Sequence, residues 1–401
     1  MLLLWFMMTA STAAPTLDEA LAAVETHPDV ARAETLASAQ QARASGANAW
    51  ADPVVSGELS NANLGNPLLT HPMSGVQLRL SQRLDGAGRN ALVREYEALR
   101  AEIARLDAGA ALLRARVEVQ RAWHMAAHAH AMAELSEDYL ARLAVLREIA
   151  TQHYEMGHGG QSPLLRIAIV ERTVEEDIRE WRTAAQVHEA HLQMWLGRPL
   201  EVADRPIAVA PPTEPPEAMA DENPSWEGLG LAEKAAQVAA EREAREGRPG
   251  VTVWTGFRIR TQPTDGTDLA SLGISMPVPV FSSRRQAFVA EAWTAQAASH
   301  AHARESLGLR IAEGVSAARY RWQRADERAR VYGGELVPDA EEARDATIID
   351  YRDNRAAFAD VLESEVSVLE LRRVALAAST ETLLQRVEIE RLTGVAAQRA
   401  P

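Results

Sequence analysis

The chain has 401 residues, a formal net charge of −14 and no cysteine. The acidic balance argues against a nucleic-acid partner, since Arg is mixed with Glu along helical stretches rather than gathered into a basic patch. Without Cys there is no disulfide framework, thiolate metal site, Cys nucleophile or acylated N-terminal Cys, while an oxidising compartment stays permissible.

Residues 1–14 read as an export signal: the apolar run 2–8 is too short to cross a bilayer, and small residues follow it. No later stretch approaches a transmembrane helix, so any membrane insertion must use strands. Thr16 followed by Glu19 is a capping-box pattern and opens a helix over about 17–48, broken at His27-Pro28. The pattern then changes to a period of two over 53–61 and 75–84. Val76, Leu78 and Leu80 fall on one face, and Gln77, Arg79 and Ser81 on the other.

A helix over about 90–155 follows, with no Pro and one Gly, Gly109. Its Leu99, Ile103, Leu106, Ala110, Leu113 and Val117 form a coiled-coil seam. A return helix spans about 162–196, and a proline-rich linker occupies 201–224.

The second half repeats the order. Val251, Val253, Phe257 and Ile259 alternate with Thr252, Trp254, Arg258 and Arg260; Leu272, Ile274 and Met276 alternate with Ser271, Gly273 and Ser275. Trp254 is a candidate for an interfacial aromatic belt, although other strand ends lack aromatics. A long helix over about 283–350 contains Pro338, which predicts a kink, and a return helix covers about 357–393. The halves superpose with a constant offset of 197 positions (281 − 84), which puts Leu84 on Phe281, Tyr154 on Tyr351 and Gly157 on Asn354. The fold class is therefore mainly α with a small β portion and an internal duplication. Residues 15–200 and 225–396 are the two copies, with hairpins at 53–84 and 250–281.

Four strands of this length suit a tilted transmembrane strand, but four cannot close a barrel, and open edges are not tolerated in lipid. Either several chains pool their strands, or the hairpins pack on the chain's own helices as part of a soluble coiled-coil scaffold. His124 and His128 have the i, i+4 spacing of a possible divalent-metal pair, with no catalytic partner nearby. No nucleophile triad, phosphate loop or cofactor fingerprint is present.

The segments Leu17-Asp18-Glu19-Ala20-Leu21, His27-Pro28-Asp29-Val30, Leu84-Asp85-Gly86-Ala87-Gly88-Arg89, Pro277-Val278-Pro279-Val280-Phe281 and Asp360-Val361-Leu362-Glu363 resemble signatures of outer-membrane efflux proteins, the TolC-like channels. Tyr351-Arg352-Asp353-Asn354-Arg355 through Asp360-Val361-Leu362-Glu363 is most similar to the heavy-metal (CzcC-like) branch. The resemblance implies a homotrimer with a twelve-stranded outer-membrane barrel, in contact with lipid, and a periplasmic α-barrel. Such a passive duct serves a periplasmic adaptor (membrane fusion protein) and an inner-membrane RND-type transporter, without enzymatic activity or cofactor. It further implies metal cations as cargo, with drug or solvent efflux and type I secretion as alternatives.

By that likeness Asp360 and Glu363 line the periplasmic aperture, beside Tyr351, Asp353 and Arg355. The Arg that would partner Tyr351 in the family stands here as Ala356, with Arg355 one place earlier. Tyr154, Gly157 and Asn354 are at the tips where the adaptor would dock.

Overall fold

The computed structural model describes residues 16–47, 51–60, 74–84, 88–157, 160–197, 209–211, 213–216, 223–246, 250–260, 269–278 and 282–394. The export signal, both hairpin connections and most of the linker lie outside these residues. In chain order the elements are α1 (Leu17–Val24), α2 (Pro28–Gly46), β1 (Val54–Ser60), β2 (Gly75–Leu84), α3 (Arg89–Glu155), α4 (Ser162–Leu196), α5 (Pro224–Glu246), β3 (Val251–Arg260), β4 (Leu269–Ser275), α6 (Ser282–Val331), α7 (Val337–Arg352) and α8 (Phe358–Thr393). A single π-helical turn, Tyr332–Leu336, joins α6 to α7.

The chain folds as two compact units, and each draws on both sequence copies. One comprises Met1–Ala33, Ala108–Pro224 and Leu307–Pro401, the other Glu34–Asp107 and Ser225–Ser306. The first is all-helical among its described residues. Its core has two main parts. Small residues of α3 (Ala115, Val119, Ala122, Ala126) admit Ala20, Val24, Val30 and Leu192 at close range. Farther along α3, Tyr139, Leu143, Leu146 and Ala150 pack with Ile167 and Val174 of α4 and with Tyr351, Phe358, Val361 and Leu369. The α3 seam is buried at Leu106, Leu113 and Val117, and the last two meet Val387 of α8.

Local chemistry sets the element ends. The Thr16 hydroxyl accepts from the Glu19 N–H at 3.2 Å and the Glu19 carboxylate accepts from the Thr16 N–H at 3.0 Å, completing the capping box. The His27-Pro28 break separates α1 from α2. Just ahead of Pro338, where a kink is expected, the helix takes a wider π turn that ends one residue before α7. Proline has no N–H for the α-helical ladder, and its ring crowds the carbonyl four residues back, that of Gly334; a π turn relieves both. The described linker residues are tied down: Asn223 donates to the Leu392 carbonyl at 2.9 Å, and Arg386 donates to the Thr213 hydroxyl.

The second unit holds an antiparallel sheet in the order β1-β2-β3-β4. Its central pair, β2 with β3, joins strands from different copies in the register Leu78↔Phe257 and Leu84↔Val251. The copies diverge at the last strand. β4 ends at Ser275, whereas the equivalent of β2 would continue to 281. Pro277 and Pro279 stand where the first copy has Leu80 and Gln82, and neither can donate to a ladder.

Candidate functional site

The sheet register sorts the strand residues into two faces. Val55, Leu59, Val76, Leu78, Leu80, Leu84, Phe257, Ile259, Leu272 and Ile274 share one face, which carries no charged residue. These ten side chains are all exposed, Leu272 to 79%. On the opposite face lie Glu58, Gln77, Arg79, Arg83, Thr252, Trp254, Arg258 and Arg260. Each outer strand, β1 and β4, is paired on one side only among the described residues. An exposed apolar face bounded by open edges is an aggregation template in water. Trp254 belongs to the polar face and not to the apolar face from which an interfacial aromatic belt would project. Its ring lies over Gly273, where a Cβ would come within 2.4 Å of it, and under the Arg79 guanidinium, 4.4 Å from the ring centre.

The helical unit turns back at two corners. In the first, the Gly157 N–H donates to the Tyr154 carbonyl at 3.0 Å, and Gly157 has φ +74. In the second, the Asn354 N–H donates to the Tyr351 carbonyl at 3.0 Å, and Asn354 has φ +56. Gly and Asn are the residues that enter the left-handed region at least cost. The second corner is then tied by charge. The Arg355 guanidinium reaches Asp350 and Asp353, each at 2.9 Å, and the Asp360 carboxylate accepts the Ala357 N–H at 3.0 Å. Ala357 has no side-chain acceptor, so Asp360 alone caps the start of α8.

Solved structures share this fold. The outer-membrane channel OprN superposes with a TM-score of 0.78 at 17% identity, over 96% of this chain and 91% of that one. The outer membrane protein VceC of Vibrio cholerae gives 0.77 at 16%, over 94% and 96%. CusC, described for its transmembrane channel formation, gives 0.77 at 14%, over 94% and 91%. The fold is that of the outer-membrane channels. No protein-family model and no curated protein matches the sequence, so the likeness is carried by structure at low identity.

Within this channel fold the sequence-predicted residues take unequal positions. Asp353, Asn354, Arg355, Asp360 and Glu363 are exposed around one corner. Glu363 makes no hydrogen bond or ion pair among the described residues, whereas Asp360 and Arg355 are engaged within their own chain. Tyr351 is buried, stacked on His153 with centroids 4.6 Å apart and edge-on to Phe358 at 5.6 Å. Burial also pushes its phenol pKa up. Its counterpart Tyr154 is exposed, in the company of exposed Met156, Leu165 and Ile169.

His124 and His128 do not gather further ligands: among the described residues no group of three or more His, Asp or Glu is placed to hold a metal ion. His124 is buried, with its pKa lowered to about 4 by desolvation and secondarily by Arg386. His128 Nδ1 lies 3.0 Å from the Thr380 hydroxyl, and its ring meets Trp181 edge-on.

Sequence reasoning missed a pair of ionic contacts that arginines at equivalent sites make to buried glutamates. Arg147 and Arg344 occupy matching positions of the two copies. Each reaches a buried glutamate on its own return helix, Glu171 and Glu365 respectively. The matched arginines were visible in the sequence, but their partners sit at unmatched positions. Glu365 is only 4% exposed. Desolvation pushes its pKa up, against the pull of Arg344, Arg142 and Arg372.

Proposed function

We propose that the chain is one protomer of a trimeric outer-membrane efflux channel, a passive duct and not an enzyme. The observation that carries this reading is the four-stranded sheet with an uncharged, exposed apolar face and two open edges. Lipid is the solvent such a face fits, and lipid requires the edges to be closed. Three chains supply twelve strands with β4 of one beside β1 of the next, and the long helices suit a periplasmic α-barrel. The copies 15–200 and 225–396 each contribute one hairpin and one helical arm, behind an export signal at 1–14 and around the linker 201–224.

In this reading Asp360 and Glu363 ring the periplasmic aperture, with Tyr351, Asp353 and Arg355 shaping the corner behind them. The i, i+3 spacing and shared exposure of the two acids support the assignment. Tyr154, Gly157 and Asn354 mark the tips offered to a periplasmic adaptor, which links the channel to an inner-membrane RND-type transporter. The resemblance of the Tyr351–Glu363 stretch to the heavy-metal branch favours metal cations as cargo. Cell fractionation with unheated gel electrophoresis tests the channel. Outer-membrane trimers that dissociate on heating are expected, and a soluble monomer or dimer refutes it. Deletion that sensitises cells to drugs but not to divalent metal salts would overturn the cargo.

A further inference from the structure

Every charged residue borne by the four strands lies on one face of the sheet. They are Arg79, Arg83, Arg258 and Arg260 against the single acid Glu58. Two of these arginines are held by neutral partners. Arg79 lies over the Trp254 ring, itself seated on Gly273. Arg258 donates to the Gln77 side-chain carbonyl at 2.8 Å, and Gln77 is buried. Tryptophan and glutamine orient a guanidinium without neutralising it, and a guanidinium keeps its charge at any physiological pH. Arg79 and Arg258 are thus fixed positive charges, each held by a side chain that positions it.

We propose that this face forms an electropositive ring in the lumen of the β-barrel, a site that attracts small polyvalent anions and disfavours free cations. The inference rests on the trimeric barrel proposed above. Twelve strands ~4.8 Å apart and tilted by ~40° close at a radius of roughly 12 Å. A guanidinium standing inward from that wall is within about one Debye length (~8 Å at physiological ionic strength) of the axis. Salt therefore does not hide the ring from solutes in mid-lumen, and threefold symmetry trebles its charge. The sheet face is then basic, whereas the helical corner exposes the acids Asp353, Asp360 and Glu363.

The test uses purified full-length trimers in planar bilayers under a KCl gradient, comparing wild type with R79Q/R258Q and the charge-conserving R79K/R258K. The wild-type reversal potential sums both ends of the duct, so the deciding quantity is the difference between variants. The chloride-over-potassium permeability ratio should fall about tenfold in R79Q/R258Q, the low end of what a charged cleft produces, and should hold in R79K/R258K. Inorganic triphosphate should block wild-type current from the barrel side and not from the helical side. This second measurement decides the matter even if the Gln variant fails to assemble. Absence of any wild-type conductance overturns the channel and the ring with it. Conducting trimers with an unshifted permeability ratio, or without one-sided triphosphate block, overturn the ring alone.

Discussion

Replacing Arg344 with Met isolates the buried carboxylate of Glu365 and measures what the ion pair does for the helical corner. The Glu365 and Arg344 side chains are 5% and 9% exposed, with 3.8 Å between the nearest nitrogen and oxygen. Stripping a buried charge of its partner costs about 3–5 kcal/mol. Arg142 and Arg372 still attract Glu365, which points to the lower end, about 3 kcal/mol, or roughly a hundredfold in a local opening equilibrium. Hydrogen exchange read by mass spectrometry on peptides from α7 and α8 reports that opening directly.

R344M should exchange roughly a hundredfold faster than wild type at neutral pH, while R344M/E365L, which removes both charges, should return to within about 1 kcal/mol of it. The pH dependence has a definite sign. Burial raises the Glu365 pKa in the folded state, so the stability linked to this group is full below its unfolded value. It is lost as pH rises through the folded value. Removing Arg344 raises the folded value further, so the R344M defect should shrink on acidification. Wild-type exchange in R344M, or a double variant no better than the single, would show that the pair does not hold the corner.

Three further outcomes are expected. His124 is held neutral by burial, so its contribution is present above pH 6.5 and lost as pH falls toward 4; H124L should remove about 3 kcal/mol of acid destabilisation, seen as a flatter stability-against-pH curve. In G273A the new methyl meets the Trp254 ring at 2.4 Å, so tryptophan emission should shift as the ring leaves the Arg79 guanidinium; unchanged emission would refute the packed platform. D360A/E363A should alter single-channel conductance or its block by divalent cations, and an unchanged current–voltage curve removes both acids from the aperture.

The helical architecture was legible because it is written in local chemistry. The period-two pattern at 75–84 and 251–260 became β2 and β3, and the Leu99–Val117 seam is buried at Leu106, Leu113 and Val117. Gly157 and Asn354, matched across the copies, both adopt positive φ. Side-chain surroundings were harder to read. Tyr154 and Tyr351 are equivalent in sequence, yet one is exposed and the other is walled in by His153 and Phe358. Strand parity alone places Trp254 with Thr252 and Arg258 on the polar face, whereas composition gives no sign of which face an aromatic takes. The glutamates facing Arg147 and Arg344 were hidden because they interrupt otherwise apolar stripes, and periodicity alone does not distinguish a buried acid from an exposed one.

The pairing of β2 with β3 across the two copies also orders events during synthesis. Leu84 leaves the ribosome long before Val251, its partner in the register; at ~5–20 residues per second the wait is roughly ten to thirty seconds. An isolated β1–β2 hairpin is marginal in water for that time. A fragment ending after α4 should therefore show no protected amides in β1 or β2. Until the second copy is made, β2 has no partner along the side that β3 will take, so completing the sheet is a late step of folding.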